Sequence, residues 1–158
     1  MKKILLIFTA TLLFSCNASK LVRETEDSLN GEWTLTEVSY PDSSGFFDVT
    51  LFKTAEATCF ESSVWKFVAN NNRGTVNLSN SSCSVNQQNI VWSLEESTMP
   101  NYLYNVVLKM AEDGKAKKED QGSRLQVNEV SENTMSWDLN VQYQSKPIIV
   151  RLKFIKNQ

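Results

Sequence analysis

Between Trp33 and Ile155 the chain falls into eight short runs whose large side chains recur at every second position, each run closed by residues that favour turns. A period of two marks a strand with one buried face, whereas a helix repeats at about 3.6. The first run alternates Trp33, Leu35 and Glu37 with Thr34, Thr36 and Val38, and stops at Pro41-Asp42-Ser43-Ser44-Gly45. Ser63 to Ala69 carries Trp65 and Phe67 on one face, turns at Asn70-Asn71-Asn72-Arg73-Gly74 and returns as Thr75 to Leu78. Asn89 to Glu95 aligns Ile90, Trp92 and Leu94, and Tyr102 to Met110 aligns Tyr102, Tyr104, Val106, Leu108 and Met110. Leu125 to Val130 and Thr134 to Val141 form a hairpin around Ser131-Glu132-Asn133, and Pro147 to Ile155 closes the series. An open sheet of eight such strands exposes two edges, and closure into an antiparallel up-and-down barrel removes them. A two-sheet sandwich is the alternative. Val49 to Ala57 has no clear period and reads as a short helix or an extended cover between the first two strands.

The N-terminus gives an address. Lys2 and Lys3 precede an apolar run, Ile4 to Phe14, that is too short for a stable membrane span, and Ser15-Cys16 follows where cleavage is expected. This is the pattern of a bacterial lipoprotein signal over residues 1–15, with Cys16 as the lipid-bearing first residue of the mature chain. Residues 16–30 are polar and read as a flexible tether, and residues 31–158 as one domain. Loss of the two signal lysines leaves 14 basic against 18 acidic residues, which argues against a nucleic-acid partner. The expected location is the cell envelope, anchored by lipid and facing the periplasm, with surface exposure as the other possibility.

Once Cys16 carries lipid, Cys59 and Cys83 are the remaining thiols, and in an oxidising compartment such a pair is expected to form a disulfide rather than a metal site or a nucleophile. There is no histidine, so the usual serine and cysteine triads are ruled out. The carboxylates show no paired spacing across a cleft: Glu95 and Glu96 are adjacent on a strand and face opposite ways. The chain therefore reads as a protein without catalytic residues, metal or cofactor.

Gly31-Glu32-Trp33 resembles the Gly-x-Trp opening of lipocalins, in which the tryptophan plugs the closed end of a barrel. The run from Phe52 to Cys83, with Cys59-Phe60, Ser63-Val64-Trp65-Lys66-Phe67 and Asn70-Asn71-Asn72-Arg73-Gly74-Thr75, resembles the lipocalin-like lipoproteins of Bacteroidota. The resemblance implies an eight-stranded barrel in which Arg151, on the last strand, packs over Trp33. It also implies a small hydrophobic ligand, for which Trp65, Phe67, Trp92, Tyr104 and Trp137 are the candidate wall residues. The same aromatics would fill the interior if the protein were instead an envelope interaction module with a protein partner.

Overall fold

The computed structural model describes residues 20–45, 47–78, 83, 86–111 and 122–158. The signal segment and Cys16 lie outside them, as does the whole of the charged stretch 112–121. Helix α1 (Lys20–Leu29) leads into β1 (Gly31–Ser39). A cover follows, made of β2 (Thr50–Leu51), β3 (Ala55–Glu56) and α2 (Ala57–Phe60). The remaining strands are β4 (Val64–Val68), β5 (Arg73–Asn77), β6 (Gln87–Glu96), β7 (Tyr104–Ala111), β8 (Ser123–Val130), β9 (Thr134–Tyr143) and β10 (Lys146–Lys156).

The eight longer strands form a closed antiparallel barrel in the order β1-β10-β9-β8-β7-β6-β5-β4, with β1 bonded to both β10 and β4. Closure satisfies the edge groups that an open sheet would leave bare, and it decides for the barrel over the two-sheet sandwich that the eight alternating runs also allowed. Inward positions such as Trp65, Phe67, Val76, Ile90, Trp92, Val106, Leu125, Val127, Trp137, Val150 and Phe154 are buried in one continuous core. Over Val49 to Ala57 the extended alternative holds, as a tight β2–β3 hairpin, and a single helical turn, α2, begins only at Ala57.

Three local readings are corrected. The segment expected to be a flexible tether is helical from Lys20 to Leu29, with Thr25 and Leu29 buried one turn apart against the barrel. In β1 a bulge between Leu35 and Glu37 shifts the alternation by one, so Glu37 turns outward to Lys153 while Val38 packs against the core. The strand expected to start at Tyr102 starts at Tyr104, and Tyr102 sits in the preceding loop with its hydroxyl on the outer wall.

Two glycines are dictated by geometry. Gly31 joins α1 to β1 at φ +119°, where a side chain would be strained. At Gly74 a Cβ would lie 1.9 Å from the Lys66 carbonyl oxygen, so only glycine lets β5 approach β4 this closely.

Candidate functional site

Strand alternation fixes the two ends of the barrel. β1 runs away from α1, so the β4–β5, β6–β7 and β8–β9 connections share the α1 end, and the cover, the β5–β6 loop and the β9–β10 turn share the opposite end.

The α1 end is closed by side chains. Trp33 is fully buried and its Nε1 donates to the Leu29 carbonyl at 2.8 Å, which ties the last turn of α1 to the barrel floor. The cation over Trp33 belongs to Lys156, whose Nζ lies 5.1 Å from the ring centroid. Arg151 does not take that place. Register explains the correction: Trp33 pairs with Lys156 across β1 and β10, whereas Arg151 pairs with Ser39 at the far end of β1 and faces outward.

On the outer wall Arg151 meets Asp138 of β9 through Nε at 2.7 Å and Nη2 at 2.8 Å. Asp138 is wholly buried and accepts a third bond from the Tyr102 hydroxyl at 3.0 Å. The hydrogen bonds it donates to Asp138 hold the Arg151 guanidinium above its ordinary pKa, against the effect of burial. Burial, followed by the bond to Asp138, raises the Tyr102 phenol. Glu95 is held on the same outer surface by Arg124 at 2.7 Å.

Inside, Trp65, Phe67, Trp92, Tyr104 and Trp137 all point inward and are buried. Four of them form one ring cluster. Trp65 meets Phe67, Trp137 and Phe154 with centroids 6.1, 6.3 and 5.5 Å away, and Phe67 meets Trp92 and Trp137 at 5.6 Å each. Edge-to-face and stacked pairs at these separations are direct packing. Tyr104 stands apart, and among the described residues no ring pair includes it. Phe154, absent from the expected wall, lies 4.9 Å from Trp137, and its place in the alternation of β10 was the available signal.

The four indole nitrogens differ in one respect. Trp33 donates to Leu29, Trp65 to the Ser63 hydroxyl at 2.8 Å and Trp92 to the Arg73 carbonyl at 3.1 Å. Trp137 Nε1, buried in the middle of the ring cluster, has no partner among the described residues. A buried donor left without an acceptor costs about 1–3 kcal/mol, so it calls for an explanation.

The mouth is roofed by the cover. Phe52 and Lys53 occupy the two central positions of the β2–β3 turn at φ +54° and +57°, a conformation that normally selects glycine or asparagine. The strained turn sends the Phe52 ring down onto Phe60 at 5.3 Å and Trp65 at 5.7 Å. Beside Phe52 a cleft of about 420 Å³ opens between the cover and β8–β9, with Leu139 and Val141 on its apolar side and Lys53, Arg124 and Asn140 on its polar side. Cys59 and Cys83 form the expected disulfide, with Cα atoms 6.0 Å apart, and pin α2 to the β5–β6 loop at this same end.

Among curated proteins no relative matches the chain. A family model described as a lipocalin-like domain matches residues 29–137, from the end of α1 into β9. With the matched segment covering most of the chain, and with a closed eight-stranded barrel plugged by Trp33 and roofed at its mouth, the chain belongs to the lipocalin-like domain family.

Proposed function

We propose that this protein is a lipid-tethered envelope lipoprotein, of the lipocalin-like kind found in Bacteroidota, that binds a small and largely apolar molecule bearing one hydrogen-bond acceptor. Trp137 carries the reading, because among the described residues its indole N–H is the one tryptophan donor without a partner, and it sits among aromatic faces in the barrel interior. A carbonyl, hydroxyl or carboxylate oxygen on the ligand would satisfy it, and the surrounding rings would bury the apolar remainder. Access would run through the rim cleft, which falls within the usual range of small-ligand pockets, with Phe52 displaced from Trp65. The role is binding rather than catalysis, and the ligand class is apolar.

The ring packing itself favours a second reading, in which the aromatics simply fill the barrel and the protein acts through its surface on an envelope partner. Tryptophan fluorescence titration with a long-chain alcohol, the matching ketone and the alkane of equal length separates the two. The proposal expects saturable quenching that favours the two oxygen-bearing compounds by about tenfold, the value of one buried hydrogen bond, and loss of that preference in Trp137→Phe. If none of the three quenches saturably, the filled-barrel reading replaces it.

A further inference from the structure

The closed end of this barrel carries an unusual combination of features. Helix α1 is docked there through Leu29 and the Trp33–Leu29 bond, through Lys156 Nζ reaching the Ser28 carbonyl at 3.4 Å, and through Asn72 Nδ2 reaching Glu26 at 3.2 Å. The direction of the chain then matters, since only residues 17–19 separate Lys20 from Cys16. Fully extended, the step from Cys16 to Lys20 spans at most about 15 Å. A lipid on Cys16 therefore holds Lys20, the first residue of α1, within about that distance of the bilayer surface, and α1, about 15 Å long, connects Lys20 to the barrel floor.

The same end exposes large apolar side chains. Met99 and Leu103 of the β6–β7 loop are 47% and 54% exposed, and Ile155, near the end of β10, is 50% exposed. Strand alternation places the β6–β7 connection and the last residues of β10 at the α1 end, from which the loop folds back onto the outer wall of β8–β9, with the Tyr102 hydroxyl on Asp138 and Met99 Sδ accepting from Gln126 Nε2 at 3.3 Å. Side chains of this size in water at a tethered end suit the interfacial region of a bilayer.

We propose that the α1 end, with Met99, Leu103 and Ile155, is a lipid-facing surface that seats the barrel upright on its own membrane, so that the mouth with Phe52 and the Cys59–Cys83 disulfide points into the aqueous compartment. This rests on lipidation of Cys16. β10 is 11 residues long, and at the usual barrel tilt its axial height is about 25–30 Å. The mouth is thus held well clear of the headgroups, and ligand exchange takes place with the water phase.

The test uses the full-length, lipid-modified protein reconstituted in vesicles of three parts phosphatidylethanolamine to one part phosphatidylglycerol, with a nitroxide on a fraction of the headgroups. Bimane is attached to Asn101→Cys, in the β6–β7 loop, or to Lys146→Cys, at the β9–β10 turn; both positions are exposed. The proposal expects at least fivefold stronger quenching at Asn101 than at Lys146. It also expects Met99→Ser/Leu103→Ser/Ile155→Ser to lower the Asn101 quenching by half or more while the protein stays with the vesicles. Equal quenching at the two sites, or stronger quenching at Lys146, overturns the orientation, and unchanged Asn101 quenching in the triple variant overturns the apolar contact. Cys16→Ala separates this from the tethering itself: if that protein still fractionates with membranes as the unsubstituted one does, lipidation is refuted rather than the seating.

Discussion

Replacing Arg151 by methionine should cost far more than its position on an outer wall suggests. Asp138 is wholly buried while the Arg151 side chain is 28% exposed, and two of the three hydrogen bonds to the carboxylate come from the guanidinium. Removing one partner of a buried pair costs about 3–5 kcal/mol because the other charge is stranded. The Tyr102 bond survives and water reaches the vacated space, so the lower end applies, about 3 kcal/mol. For a domain of this size that lowers Tm by about 6–12 °C. Lys153 with Glu37 supplies the control, since both side chains are about half exposed, and Lys153→Met should cost less than about 1 kcal/mol. Urea denaturation followed by tryptophan fluorescence measures both. Asp138→Leu combined with Arg151→Met should recover most of the loss, because no buried charge remains. If Arg151→Met costs no more than Lys153→Met, the reasoning fails.

Replacing Cys59 and Cys83 together by serine should destabilise the protein by about 3.5 kcal/mol in the chain-entropy model for a separation of 24 residues, and a loss below about 1 kcal/mol by denaturation would contradict that. Trp33→Phe keeps most of the buried ring but removes the donor to Leu29, so it should cost about 1–2 kcal/mol and speed amide exchange in α1 more than in β9 or β10; uniform acceleration would show that the bond does not hold the helix. Because burial and Asp138 raise the Tyr102 pKa in the folded state, its contribution is intact below the unfolded value of about 10 and is lost as pH rises through the folded value. Stability should accordingly fall more steeply above about pH 10 in the unsubstituted protein than in Tyr102→Phe, and parallel profiles would refute the assignment.

The barrel was legible wherever the pleat ran undisturbed. β9 alternates Met135, Trp137 and Leu139 inward as its spelling implies, and β4 does the same with Trp65 and Phe67. The reading failed where one extra residue shifts the period, at Glu37 in β1, because a bulge leaves no mark in composition. Helix α1 was hidden for a different reason. Its stabilisation comes from docking, and the spacing of Val22, Thr25 and Leu29, at i, i+3 and i+7 in a polar stretch, was the signal available. Arg151 and Lys156 both lie on the last strand, and the choice of which covers Trp33 depends on the register of the β1–β10 closure, a pairing between chain ends about 120 residues apart that no hairpin turn sets. For the site, the inward aromatics were legible as residues but their contacts were not. Phe52 becomes the roof of the ring cluster only through a left-handed turn that its sequence does not favour. Whether an indole has a partner depends on atoms brought together by the fold, so Trp137 could not be distinguished from Trp33, Trp65 or Trp92 before the structure.

The four indole N–H groups can be followed one by one in solution. The chain has four tryptophans, so a protein labelled with nitrogen-15 at the indoles gives four Nε1–H correlations, each assignable by single Trp→Phe substitution. Three of these groups already donate within the protein, and among the described residues the Trp137 indole N–H is the one left to donate to a new partner. On saturation with the long-chain ketone, the Trp137 indole proton should move downfield, as expected for a newly formed hydrogen bond, by a larger shift than any of the other three. A spectrum in which Trp137 stays in place while the ketone binds, or in which all four resonances remain unmoved at every concentration, would contradict the account of an interior site built around that indole.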